Sequence, residues 1–141
     1  MLIFYENIKK NFTDMYSELI KKASTDFNAI DDYFSKNSPS THNQIEIKSR
    51  IDQFKKDGLI PTATAIRNLD RKQLADMIST MNALTSYITN EPSDSPIRTR
   101  GASLNNLLQP MQMDLYMLSP TCIDALEWYE YTPGHKPKAR C

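Results

Sequence analysis

Apolar residues along this chain recur mostly at steps of three and four, which predicts helices rather than strands. The clearest case is Leu69–Asn90, where Leu74, Met77, Ile78, Met81, Leu84 and Ile88 share one face and Lys72, Asp76, Thr80, Asn82 and Ser86 lie opposite. Asp70 is placed as its N-cap and Gln73, three residues on, completes a capping box; Leu69 and Leu74 take the hydrophobic-staple positions. Glu91-Pro92 ends the helix just after Asn90, because the residue before a proline is driven out of the α region.

A longer periodic run opens the chain: Tyr5, Ile8, Phe12, Met15, Leu19, Ala23, Phe27, Ile30 and Phe34. Glu6–Lys10, Glu18–Lys22 and Asp32–Lys36 are spaced as helix-surface pairs. One helix over residues 4–34 would be about 45 Å long at 1.5 Å per residue, more than a compact domain of this size spans. Two arrangements fit: a single long helix, or a break at Ser24-Thr25-Asp26 that caps a second one.

Lys36 to Ser40 is a turn by composition. Thr41 and Gln44 form a second capping box, opening a helix through Ile45, Ile47, Ile51 and Phe54, with Glu46–Arg50 and Asp52–Lys56 as surface pairs. Gly58 suits the C′ position of a Schellman ending, with Leu59 set to meet Phe54. Residues 59–68 fit either an extended connector or one helical turn. Glu91–Gly101 is rich in Pro, Ser and Asp, a surface loop or hinge. Ala102–Gln109 predicts a short helix stopping at Pro110.

Met111–Met117 alternates apolar and polar residues, so a short strand at 111–117 competes with a helix there; such a strand would need another chain to pair with. Ser119-Pro120 is an N-cap followed by an N1 proline, starting a short helix through Ile123, Leu126 and Tyr129 to Tyr131. The expected architecture is an all-α helical bundle with a long N-terminal helix, a capped central helix and a short C-terminal helix. Residues 1–134 make a single domain, followed by the basic tail HKPKARC at 135–141.

Composition sharpens this picture. The 141 residues include only three glycines and no valine, which favours helix. Seventeen basic residues balance seventeen acidic ones, so no global field draws nucleic acid or an anionic membrane. Cys122 and Cys141 lack metal or redox spacing and suit a reducing compartment. The opening MLIFYENIKK is too short for a signal peptide or a membrane span. A cytoplasmic or virion location is therefore expected, with no membrane association.

Candidate chemistry is sparse. Neither His42 nor His135 adjoins a nucleophile motif, and no phosphate-cradling or metal-binding pattern occurs. The pairs Asp31-Asp32 and Glu127 with Glu130 are expected to be solvated. The expectation is a non-enzymatic protein without cofactor, metal or small-molecule substrate. A seam of Tyr5, Ile8, Phe12, Met15 and Leu19, with Tyr116, Trp128, Tyr129 and Tyr131 near the other end, is the candidate interface for a homo-oligomer or larger assembly. Most of the methionines are expected to fill core. Between Ala102 and Gly134 four acids stand without a basic residue, and the basic tail follows, an asymmetry suited to intermolecular pairing. The competing expectation is nucleic-acid contact through Arg98, Arg100, Lys136, Lys138 and Arg140, which have no acids beside them in sequence.

The segment Leu69-Asp70-Arg71-Lys72-Gln73-Leu74, an amphipathic helix, then a Thr/Ser-rich turn running to Arg100-Gly101, resembles helices in small structural and packaging-related proteins of short-tailed bacteriophages. Where such helices end in a Ser-Thr turn, this chain has Asn90-Glu91-Pro92-Ser93. The resemblance covers about a third of the chain and implies a virion or assembly protein, with no functional residues carried over.

Overall fold

A computed structural model describes residues 2–117, with side chains described for 6–116. These residues form six α-helices and one 3₁₀ turn, without a strand among them: α1 Leu2–Met15, α2 Ser17–Lys36, α3 His42–Asp57, α4 Ala63–Arg67, α5 Arg71–Thr89, the turn Arg98–Arg100, and α6 Gly101–Met117. The all-α helical bundle is as expected.

Four of the helices make a ring. α2 and α3 are joined by a short turn, and Phe27 meets Phe54 edge-on with ring centroids 5.4 Å apart. α3 runs antiparallel to α5, since Asn43 near its start bonds to Tyr87 and Glu91 near the end of α5. α6 turns back along α5 and lies against α2, where Asp26 meets Arg100 and Ser103. The result is an up-down-up-down bundle whose core holds Phe27, Ile30, Ile47, Ile51, Phe54, Met77, Leu84 and Leu107, each 1% exposed or less. α1 and α4 lie outside the ring and close one end, where Ile8, Phe12 and Ile66 reach Leu74 and Met111.

The caps at the centre of the chain form as their sequences dictate. Asp70 accepts from the Gln73 amide at 2.8 Å and Gln73 returns the bond to the Asp70 amide at 2.9 Å. Thr41 accepts from the Gln44 amide, but the Gln44 side chain reaches the amide and hydroxyl of Ser40 rather than the Thr41 amide. Gly58 has φ 67°, in the left-handed region that favours glycine, and the Leu59 amide closes on the Phe54 carbonyl at 2.8 Å. Within residues 59–68 the chain makes one helical turn, capped by Thr62 onto the Ala65 amide.

Several expectations are corrected. The N-terminal run is two helices, broken at Tyr16 (φ −104°, ψ 22°) rather than at Ser24–Asp26. The reason is tertiary: the α1 row Ile8–Phe12 serves α4 and the end of the bundle, while the α2 row Ile20, Ala23, Phe27 serves the ring. Residues 111–117 are helical, not strand, because Met111 and Asp114 continue the buried row of Leu104, Leu107 and Leu108. Pro110 does not stop α6. It removes one backbone donor, whose acceptor would be the carbonyl of Asn106 on the exposed side of the helix. Surface pairing also differs: Glu6 meets Lys9, Glu18 meets Lys21 and Asp52 meets Lys48, whereas Asp32–Lys36 and Glu46–Arg50 pair as expected.

Candidate functional site

The lid end of the bundle carries most of the described candidate interface. Ile8 and Phe12, expected in an intermolecular seam, are each 3% exposed within the single chain. They are core residues, because α4 and the ends of α5 and α6 supply the cover that the sequence alone did not assign. Leu19 is partly buried against the same core. Met15 and Tyr116 are the exceptions, at 50% and 52% exposed. Tyr5 belongs to α1, but its side chain lies outside the described residues, as do Trp128, Tyr129 and Tyr131.

Around Met15 the packing is mixed. The Phe12 and Tyr16 rings lie 4.9 Å apart. Burial pushes the Tyr16 phenol above its ordinary pKa, and the nearby Asp114 carboxylate of α6 adds to the rise. Asp114 is itself buried. Lys9, also buried, donates to the carbonyls of Arg67 and Leu69 at 2.7 and 2.8 Å, so its ammonium satisfies backbone acceptors at and beyond the C-terminus of α4. Arg67 donates to Thr13 and Asp14 in return.

The opposite end holds a second polar centre that sequence reasoning missed. Glu91 is 3% exposed. Its carboxylate accepts from Asn43 Nδ2 at 2.9 Å, Gln44 Nε2 at 3.0 Å and Ser95 Oγ at 3.2 Å. With Ile97 buried as well, the Glu91–Gly101 segment is anchored rather than an open hinge. The only signal in the sequence was the pair Asn43-Gln44 in the first turn of a helix, and nothing local assigns it a partner.

This anchoring absorbs the two arginines expected to meet nucleic acid. Arg98 donates to the Glu91 carbonyl at 2.7 Å, and Arg100 pairs with Asp26 at 2.9 Å. Asp26 is distant in sequence, which is why Arg100 looked unneutralised, and Arg98 is held by a backbone carbonyl rather than by an acid. Lys136, Lys138 and Arg140 lie outside the described residues.

Two shallow grooves flank α5. One, of about 550 Å³, is lined by Gln53, Asp57, Gln73 and Asp76 between α3 and α5; the other, of about 450 Å³, by Asn82, Ser86, Arg98 and Asn105 between α5 and α6. No group of His, Cys, Asp and Glu suited to a metal ion occurs among the described residues. No described helix is long and apolar enough to cross a membrane. Comparison of the chain with known protein families, curated proteins and solved structures returns no match.

Proposed function

We propose that this chain is a non-enzymatic structural or assembly protein, working by helix-mediated oligomerisation or by docking to a larger assembly such as a virion. The observation that supports this reading is the exposure of two large side chains of the expected interface. Met15 continues the buried row of α1 and is half open, and Tyr116 is half open on α6. Large side chains left exposed beside a packed core are the kind of surface that partners bury. The segment bearing Trp128, Tyr129 and Tyr131 follows directly in the chain. The nucleic-acid alternative loses two of its five cations to internal bonds, since Arg98 and Arg100 already have acceptors within the fold.

Light scattering across a concentration series tests the reading. The mass should rise above that of one chain as concentration increases, and Tyr116→Ser should shift that rise to higher concentration. A single-chain mass at every concentration, together with no capture by the native assembly, rejects it.

A further inference from the structure

The two grooves beside α5 differ in charge. Asp57 and Asp76 line the one against α3, whereas the one against the start of α6 has Arg98 and no acid. Arg98 is oriented by its bond to the Glu91 carbonyl at 2.7 Å, and Glu91 is buried and held by Asn43, Gln44 and Ser95. A carbonyl fixes a guanidinium without neutralising it, and this single bond leaves most of its N–H donors unused. The rest of the lining is neutral. Thr85 and Thr89 donate their hydroxyl protons to the carbonyls of Asn82 and Thr85, so their oxygens offer only lone pairs, which a ligand must donate to. Asn82, Ser86 and Asn105 are exposed, and no hydrogen bond among the described residues uses their side chains. The floor is closed: Gly101 comes so near Ile88 that a Cβ would stand 2.7 Å from Cγ2.

We infer that this groove binds a small hydroxylated carboxylate, a molecule with the size and chemistry of a sugar acid. Its carboxylate lies on Arg98 and its hydroxyls on Asn82, Ser86 and Asn105. A guanidinium takes a carboxylate through two parallel N–H···O bonds. One fixed cation matches one negative charge, whereas a phosphate monoester brings about −1.5 to −2. A nucleic-acid backbone calls for a row of cations, and no second one lines this groove. A volume of about 450 Å³ admits a single molecule of this size. The inference goes beyond the assembly reading and is read at the groove rather than by mass, so either can fail alone.

Titrating the isotope-labelled full-length chain with glucuronate, followed by nuclear magnetic resonance, tests it. The amide signals of Asn82, Ser86 and Asn105 should shift and saturate, with a dissociation constant in the millimolar range for so small a ligand. Glucose, which lacks the charge, should bind at least roughly tenfold more weakly. Arg98→Lys keeps the charge but loses the fork, and should weaken glucuronate severalfold while leaving glucose unchanged. Ala102→Leu, at an exposed position of the lining, fills the groove without touching the ties of Glu91 and should abolish the shifts. No shifts at tens of millimolar glucuronate, or shifts that survive Ala102→Leu, would overturn the site. Equal binding of glucose would overturn the role of Arg98. Tighter binding of glycerol phosphate or of a short DNA duplex would overturn the choice of a carboxylate.

Discussion

At one end of the bundle α1 and α4 lay Ile8, Phe12 and Ile66 over the core, with polar ties at the rim. At the other, the loop after α5 sinks the Glu91 carboxylate among Asn43, Gln44 and Ser95. The lid is seated mainly by area, with the buried Lys9 ammonium tying α1 to the Arg67 and Leu69 carbonyls, and its exposed ion pair Arg67–Asp14 adds little. The loop is seated by direction, since a buried carboxylate tolerates no missing donor. An apolar seat weakens gradually as contacts are lost, whereas a hydrogen-bonded one fails at a single atom.

The centre that both ends share sets the largest effect. Phe54→Ala empties a fully buried site against Phe27 and should cost about 3–5 kcal/mol in urea unfolding. Both ends should then open in one transition; two separate transitions would show that they are independent units.

At the loop end, a Cβ on Gly101 would sit 2.7 Å from Ile88 Cγ2, so Gly101→Ala forces α6 away from α5. About 1–3 kcal/mol is expected, and the double variant with Ile88→Ala should cost less than the sum of the two. Additive costs would relocate the clash. Glu91→Gln keeps the shape but turns an amide donor toward one of the three existing donors, and about 1–3 kcal/mol should be lost. Hydrogen exchange should rise first near Asn43 and Ser95; uniform acceleration across the bundle would contradict a local tie.

At the lid end the effects are smaller. Arg67→Ala should cost below about 1 kcal/mol while raising exchange in α1, and a loss as large as that of Glu91→Gln would erase the contrast between the ends. Tyr16 sharpens the contrast through pH. Its folded pKa lies above the ordinary 10.0, so the unfolded chain deprotonates first and stability falls as pH rises past 10 toward the folded value. Tyr16→Phe should flatten that part of the alkaline profile; an unchanged slope would assign it to other groups.

What could be read from the sequence was whatever neighbours in the chain decide. The Asp70–Gln73 box, the Thr41 cap and the Gly58 ending involve residues within one turn of each other, and each formed. What escaped was decided mostly by partners on other helices, 44 to 77 positions away for the bonds of Asn43, Gln44 and Asp26. The break at Tyr16 follows from two sets of partners for one apolar stripe. The Met-rich run alternates over too few residues to separate strand from helix, and the buried row starting at Leu104 settles it. Ile8 and Phe12 looked surplus because α4 could not be told from an extended connector. Glu91 was read as part of a surface loop because Asn43 and Gln44 come from α3, and Arg100 looked unneutralised because Asp26 comes from α2.

The amine of Lys9 finishes its bonds on carbonyls 58 and 60 residues downstream. At synthesis speeds of about 5–20 residues per second, α1 therefore waits on the order of several seconds before its acceptors exist. During that interval Ile8 and Phe12 have no seat, and the emerging α1 offers chaperones a greasy handle that the finished molecule hides.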